Sequence, residues 1–189
     1  DRSPSRGLGD VYKRQLLNGL LKNEALLAQC DFSGIRAIGS GSAPLDDWMV
    51  KGYKDRFDIE IVNHFGSNEG VCLLCGPNDT SSAETRARLF PRQHKTLISR
   101  LVDTGTGKAI SETGIQGELQ IQVPSVVDGY YKDPAKTENS FTEDGFFKTG
   151  DLFEISTDDS DFYRFVGRCK DLIIRGGMNI APAELDNLL

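Results

Sequence analysis

The spacing of hydrophobic residues changes near the middle of this chain. In the first part, apolar positions fall in helical and buried-strand patterns. "LLNGLLKNEALLAQ" (Leu16 to Gln29) sets leucines against interrupting polar residues and predicts an amphipathic helix. "IRAIGSGS" (Ile35 to Ser42) predicts a short apolar strand running into a Gly/Ser turn. "APLDDWMVKGYKDRF" (Ala43 to Phe57) predicts a helix, with Pro44 suited to its first turn and Asp46 and Asp47 to its N-terminal end. "IEIVNHFG" (Ile59 to Gly66) predicts a second strand, so strand, helix and strand make a unit suited to a parallel sheet. Ligands bind such sheets beyond the carboxyl ends of the strands, where "GSGSAP" and "HFGSNEG" fall.

"NDTSSAETRARLFPRQHK" (Asn78 to Lys95) is polar and reads as a loop or boundary, and after it the period shortens to 2. "GELQIQV" (Gly117 to Val123) alternates Leu119, Ile121 and Val123 with Glu118, Gln120 and Gln122, the pattern of a half-buried strand. "TLISRLVD" and "KAI" flank a "TGTG" turn, and "FFKTGDLFEIS" and "DFYRFVGR" flank "TDDSD". Thr96 to Arg168 therefore reads as a small antiparallel β subdomain. Near the end, Pro182, Glu184, Asp186, Leu185, Leu188 and Leu189 fit the start of another helix. The fold class is α/β plus β. Its expected parts are a segment outside the fold at 1–15, the end of an α/β subdomain at 16–78, the antiparallel β subdomain at 79–169, and a hinge with the start of a further domain at 170–189.

Composition narrows the function. The 189 residues, 38% hydrophobic and 26% charged, are those of an ordinary water-soluble chain, long enough for one domain or parts of two. A net charge of −6 argues against a general nucleic-acid or anionic-membrane surface and leaves room for a local basic pocket. The apolar runs are too short for a transmembrane segment. Cys72 and Cys75 have C-x-x-C spacing without a second pair, and "VCLLC" reads as a buried apolar segment with structural thiols. With no secretory signal, a reducing, cytoplasmic setting is expected. The chain opens on Asp1, and "DRSPSRGLGDVYKRQ" (Asp1 to Gln15) lacks periodicity and is similar to translated adapter sequence, so it is set aside as non-native.

Several short motifs carry chemistry, each with a plainer alternative. "GSGSAPL" (Gly39 to Leu45) follows a strand and opens a helix, a place where backbone N–H groups favour anions, and it also fits a tight turn. "TGTGK" (Thr104 to Lys108) looks like a phosphate loop but lacks its spacing and reads as a turn. In "NHFGSNEG" (Asn63 to Gly70), Phe65 suits stacking on a base and Glu69 suits a hard cation, while a core position and a helix start remain open for them. In "FKTGD" (Phe147 to Asp151) a carboxylate sits behind a glycine, as a ribose-binding acid does, though T-G-D is also common in turns.

Taken in order, "GSGSAPL", "HFGSNEG", "GELQIQVPSVVDGYYKDPAKTENSFTEDGFFKTGD" and "GRCKDLIIRGGMNIAPAELD" closely resemble the adenylate-forming, or AMP-binding, ligases, across nearly all of Leu16 to Leu189. That superfamily includes acyl-CoA synthetases, peptide-synthetase adenylation domains and firefly luciferase. The resemblance implies MgATP-dependent activation of a carboxylic acid to an acyl-adenylate with release of pyrophosphate, then acyl transfer to CoA. It implies ATP, Mg2+ and CoA as cofactors.

The resemblance also implies roles by position. Gly41, Ser42, Ala43 and Pro44 line the adenine and acyl pocket, Phe65 stacks on adenine, and Gly66 and Asn68 belong to the same nucleotide-binding stretch. Glu69 is the Mg2+-linked glutamate, Asp151 and Arg168 bind the ribose, and Lys170 is the hinge. Gly176 and Gly177 match the loop lining the pantetheine channel. Asn68 departs from the Thr usual in the family, and its amide still donates hydrogen bonds. A phosphate loop with its lysine is expected before Leu16 and the adenylating lysine after Leu189, so the chain reads as an internal fragment, inactive alone. "IIRGGMNIAPAELD" looks most like acyl-CoA synthetases. The alternatives are an acyl-AMP ligase delivering to a carrier protein and a non-catalytic nucleotide-binding module.

Overall fold

A computed structural model describes residues 8–41, 45–171, 173–175 and 178–180, with the backbone alone at 8–14, 171, 173–175 and 178–180. The chain divides into two compact units, residues 1–66 with 72–90 and residues 67–71 with 91–189.

The first unit opens with α1 (Leu8–Lys22) and α2 (Glu24–Leu27). The single helix expected over Leu16 to Gln29 is thus broken at Asn23, and α1 starts at Leu8, inside the segment set aside. The break has a local cause. The Asn23 side chain accepts a hydrogen bond from the Leu26 N–H at 3.0 Å, starting a new helix where the old one stops. Strand β1 (Ala37–Gly41) runs parallel to β2 (Glu60–Gly66), pairing Ala37 with Glu60 and Gly41 with His64. Between them lies α3 (Asp47–Phe57), which starts later than the expected Ala43. The expected role of Pro44 in its first turn lies outside the described residues. Asp46 occupies the cap position, but its carboxylate accepts from Asn18 Nδ2 at 2.6 Å and leaves the helix end uncapped by a side chain.

The sheet is mixed, because β3 (Cys72–Cys75) adds antiparallel to β2. Met49, Val50 and Tyr53 on the inner face of α3 are buried in one cluster with Leu21, Leu45, Ile59, Ile61 and Ala87. Their spacing of one helical turn is what puts them on that face. Each such side chain contributes roughly 1.5–3 kcal/mol on full burial. The polar run from Asn78 contains α4 (Ala83–Arg88), capped by Ser82, which accepts from the Thr85 N–H at 3.1 Å, and it passes into β4 (Leu89–Pro91).

The second unit is an antiparallel sheet, as its alternating pattern predicts. Its strands are β5 (Ile98–Val102), β6 (Ala109–Ile110), β7 (Gln116–Gln122), β8 (Phe147–Ile155) and β9 (Phe162–Arg168). They lie in the order β9-β8-β7-β5-β6. Leu101, Leu119, Ile121, Phe153, Ile155 and Tyr163 form its core. In the "TGTG" turn, Asp103 Oδ1 accepts from the N–H groups of Gly105 and Thr106 and from the Thr106 hydroxyl, so side-chain and backbone bonds close the hairpin.

Gln120, on the polar side of β7, is buried as well, with its oxygen accepting from Arg100 Nε at 2.9 Å. A short helix, α5 (Pro134–Ser140), interrupts the strands and was not legible as periodicity. A 3-10 turn at Cys169–Asp171 leads to β10 (Ile173–Arg175), which pairs antiparallel with β11 (Met178–Ile180). The helix start expected from Pro182 lies outside the described residues.

Candidate functional site

The T-G-D segment gains its shape from a misfit between two strands. β7 and β8 pair through Glu118↔Leu152 and then resume at Gln120↔Lys148, so Thr149, Gly150 and Asp151 bulge out opposite Leu119. Local bonds hold the bulge. Thr149 Oγ1 donates to the Leu119 carbonyl at 2.7 Å and accepts from the Asp151 N–H at 3.1 Å. The Gly150 N–H donates to Glu118 Oε1 at 3.1 Å. Gly150 itself turns with φ 70°, a left-handed conformation that glycine adopts freely.

The bulge delivers Asp151 to a position directly across from Arg168 on β9. The carboxylate is buried, 7% exposed, and its Oδ1 lies 3.3 Å from Arg168 Nε, while the guanidinium reaches further toward solvent. Glu118 belongs to the same cluster. The Cys169 thiol next in sequence to Arg168 is pushed up to about 11, first by burial and then by the carboxylates of Glu118 and Asp151. At neutral pH that thiol is protonated and a poor nucleophile. A buried carboxylate acceptor beside a fixed cation suits a pair of neighbouring hydroxyls attached to an anionic group.

Glu69 lies in a turn, not at a helix start. The Ser67 N–H donates to the Val71 carbonyl at 3.0 Å and the Gly70 N–H to the Ser67 carbonyl at 3.1 Å. A second loop grips this turn: the Val127 N–H donates to the Glu69 carbonyl at 2.9 Å, and Ser125 Oγ to the Gly70 carbonyl at 2.7 Å. The Tyr130 hydroxyl donates to Glu69 Oε1 at 3.2 Å. Asn68 is exposed at the tip. Among the described residues there is no group of three or more His, Cys, Asp or Glu arranged for a metal ion. A lone, oriented carboxylate still fits Mg2+, which takes one or two protein carboxylates and fills its other positions with phosphate oxygens and water.

In the first unit, the glycine-rich end of β1 is packed against His64. A Cβ on Gly41 would lie 2.0 Å from the His64 carbonyl oxygen, so only glycine fits there. Phe65 is half-buried and meets Phe90 edge-on, with ring centroids 6.2 Å apart. Gly66 ends β2. Ser42, Ala43, Pro44, Gly176 and Gly177 lie outside the described residues. Lys170 is exposed in the 3-10 turn after β9.

The paired thiols of "VCLLC" do not share an environment. Cys75 is buried and pushed up to about 12, mainly by that burial, whereas Cys72 is exposed, contrary to the expectation of two buried thiols. Residues three apart on a strand face opposite sides, which explains the difference. Sequence reasoning gave no role to Glu118, Thr149 or Tyr130. Glu118 sat unremarked on the polar side of an alternating strand, and only the bulge reveals why an acid stands there.

The chain belongs to the AMP-binding enzyme family, whose match covers residues 13–131. Within the adenylate-forming ligases it is acyl-CoA synthetase-like. It is 35% identical over 163 residues to 4-coumarate–CoA ligase-like 6 of Oryza sativa subsp. japonica, covering 84% of this chain and 26% of that protein. To the mitochondrial medium-chain acyl-CoA ligase ACSF2 of Mus musculus it is 31% identical, covering 87% of this chain and 26% of the relative. The ATP-bound structure of MatB from Rhodopseudomonas palustris superposes with a TM-score of 0.72 at 26% identity, covering 92% of this chain and 33% of the other. The chain thus spans about a quarter of the length of the curated relatives it matches. Among the described residues, no helix is long and apolar enough to cross a membrane.

Proposed function

We propose that the protein carrying this chain uses ATP to activate a carboxylic acid and then joins the acyl group to CoA. In the first step a carboxylate oxygen bonds to the α-phosphorus as pyrophosphate leaves; in the second the CoA thiol sulfur bonds to the acyl carbon as AMP leaves. Substitution at phosphorus asks the protein chiefly to position groups and neutralise charge. The observation that carries the reading is the bulge that holds buried Asp151 opposite Arg168, a receptor for a ribose diol next to phosphate. The kinship with CoA ligases and the likeness to the ATP-bound MatB structure support it.

On the first unit, Gly41, Ser42, Ala43 and Pro44 serve the adenine and acyl groups, and Phe65 and Gly66 serve the adenine. On the second, Asp151 accepts from the ribose hydroxyls, Arg168 donates to the ribose, and the Asn68 amide donates toward phosphate. Glu69 is the carboxylate for Mg2+, which when bound supplies charge neutralisation on the leaving phosphates. Lys170 is the hinge, and Gly176 and Gly177 belong to the pantetheine channel.

The test uses the product of the complete gene with MgATP, CoA and a panel of carboxylic acids, following AMP, pyrophosphate and acyl-CoA. The expected result is AMP and acyl-CoA in equal amounts with at least one acid. Glu69→Ala is expected to lower turnover about 100-fold, the loss typical of removing one charge-stabilising group. Acyl-AMP without thioester would move the acceptor to a carrier protein. No turnover with any acid would leave only nucleotide binding.

A further inference from the structure

Tyr130 is held more firmly than a surface loop residue needs to be. Its N–H donates to Thr137 Oγ1 at 2.9 Å, and its carbonyl accepts from the Asp133 N–H at 3.2 Å. Thr137 Oγ1 in turn donates to the Asp133 carbonyl at 2.9 Å, and Asp133 caps α5 by accepting from the Lys136 N–H at 2.9 Å. The first turn of α5 therefore fixes the Tyr130 backbone. The ring is fixed as well, with the Lys136 ammonium 3.7 Å from its centroid, a close cation–π contact. This braced side chain spends its one polar group on Glu69, a carboxylate far away in sequence.

The loop before it supports the same target from the backbone side, through Val127 to the Glu69 carbonyl and Ser125 to the Gly70 carbonyl. We infer that Tyr130 is a positioning residue for Glu69: its hydroxyl bond to Oε1 fixes the orientation in which this carboxylate meets the metal–nucleotide complex. Donors bound to one oxygen of a ligating carboxylate orient it and tune its affinity, which is the usual work of groups behind a metal ligand. The inference rests on the proposed role of Glu69 toward Mg2+.

Tyr130→Phe removes the hydroxyl and leaves the ring beneath Lys136. In the complete gene product, binding of Mn2+ in place of Mg2+ is measured by electron paramagnetic resonance, with ATP present and the acid absent, so that no turnover is needed. Tyr130→Phe is expected to weaken Mn2+ binding about 10-fold, while AMP binding without metal stays as in the parent. The KM for Mg2+ is expected to rise in parallel. Glu69→Gln is the reference. Unchanged Mn2+ affinity in Tyr130→Phe, beside a clear loss in Glu69→Gln, overturns the role of Tyr130 alone. Unchanged affinity in both variants overturns the Glu69 reading and this inference with it. An equal loss of metal-free AMP binding in Tyr130→Phe also overturns it, because a general disturbance of the fold would then explain the result.

Discussion

Asp151 owes its placement to the residue before it. Gly150 stands at φ 70°, and a Cβ there would meet no atom within 4 Å, so an alanine would suffer from backbone torsion and not from crowding. Left-handed backbone costs a non-glycine residue roughly 1–2 kcal/mol, and asparagine tolerates it better than alanine. Gly150→Ala is therefore expected to lower stability by about 1 kcal/mol and to raise the KM for ATP, as the chain relieves strain by moving the Asp151 carboxylate. Gly150→Asn is expected to do less of both. Thermal melting and ATP kinetics on the two variants check this, and equal effects would show that the torsion is not what places Asp151. Gly41 presents the opposite case. There the obstacle is the His64 carbonyl oxygen, which a Cβ would meet at 2.0 Å. Two glycines are thus required for different physical reasons, torsion at Gly150 and crowding at Gly41.

At the level of elements, what can be read depends on how a signal is stored. Strands β1, β2, β5, β7, β8 and β9 announce themselves because burial on one or both faces imposes a repeating pattern. Short helices have too few turns for a period, and their only sequence signal is the cap. Ser82 before α4 and Asp133-Pro134 before α5 are such signals, hidden in polar stretches that read as loops. Asn23 is the same signal inside a leucine run, where the apolar spacing concealed it. Ser82→Ala is expected to cost about 1 kcal/mol, measured by urea unfolding, and Ser82→Asp to cost little, since either oxygen can take the Thr85 N–H. If alanine costs nothing, α4 is held by its contacts alone. Those contacts are substantial, because Arg86 is buried and pairs with Glu60 on β2.

The site follows the same rule. Glu69, Asp151 and Arg168 were legible as members of a motif. Glu118, Thr149 and Tyr130 were not, because their contacts with these residues depend on a register slip and on a hydrogen bond between distant loops.

For the whole molecule, acid and base act on different residues, and each unit carries its own. In the second unit, Asp144 is held down at about 2, chiefly by hydrogen bonds from the Arg100 guanidinium and then by Thr142. In the first, burial works to raise Glu60, but bonds from Lys54 and Arg86 outweigh it and leave its carboxyl below the ordinary value. A carboxyl lowered on folding adds stability above its ordinary pKa, and that stability disappears as pH falls through the folded value. Cys75 and Cys169 are raised instead, to about 12 and about 11, from an ordinary value of 9.0. Their contribution is intact below that ordinary value and is lost as pH climbs from there through the raised one. The contribution of these four groups is therefore expected to be flat between about pH 4.5 and pH 9 and to fall on both sides, for unrelated reasons.

Asp144→Asn isolates one edge. The variant keeps the size of the side chain and leaves Arg100 its bond to Gln120 and its position 4.0 Å over the Phe146 ring. It is expected to be less stable than the parent at pH 7, with the gap closing between about pH 4 and pH 2, where the parent's own Asp144 takes up its proton. Melting temperatures of both proteins across that range decide the matter. Curves that stay parallel to pH 2 would mean that Asp144 and Arg100 do not interact enough to stabilise the fold, and the acid edge would then belong to the other lowered carboxyls, Glu60, Asp31 and Asp103.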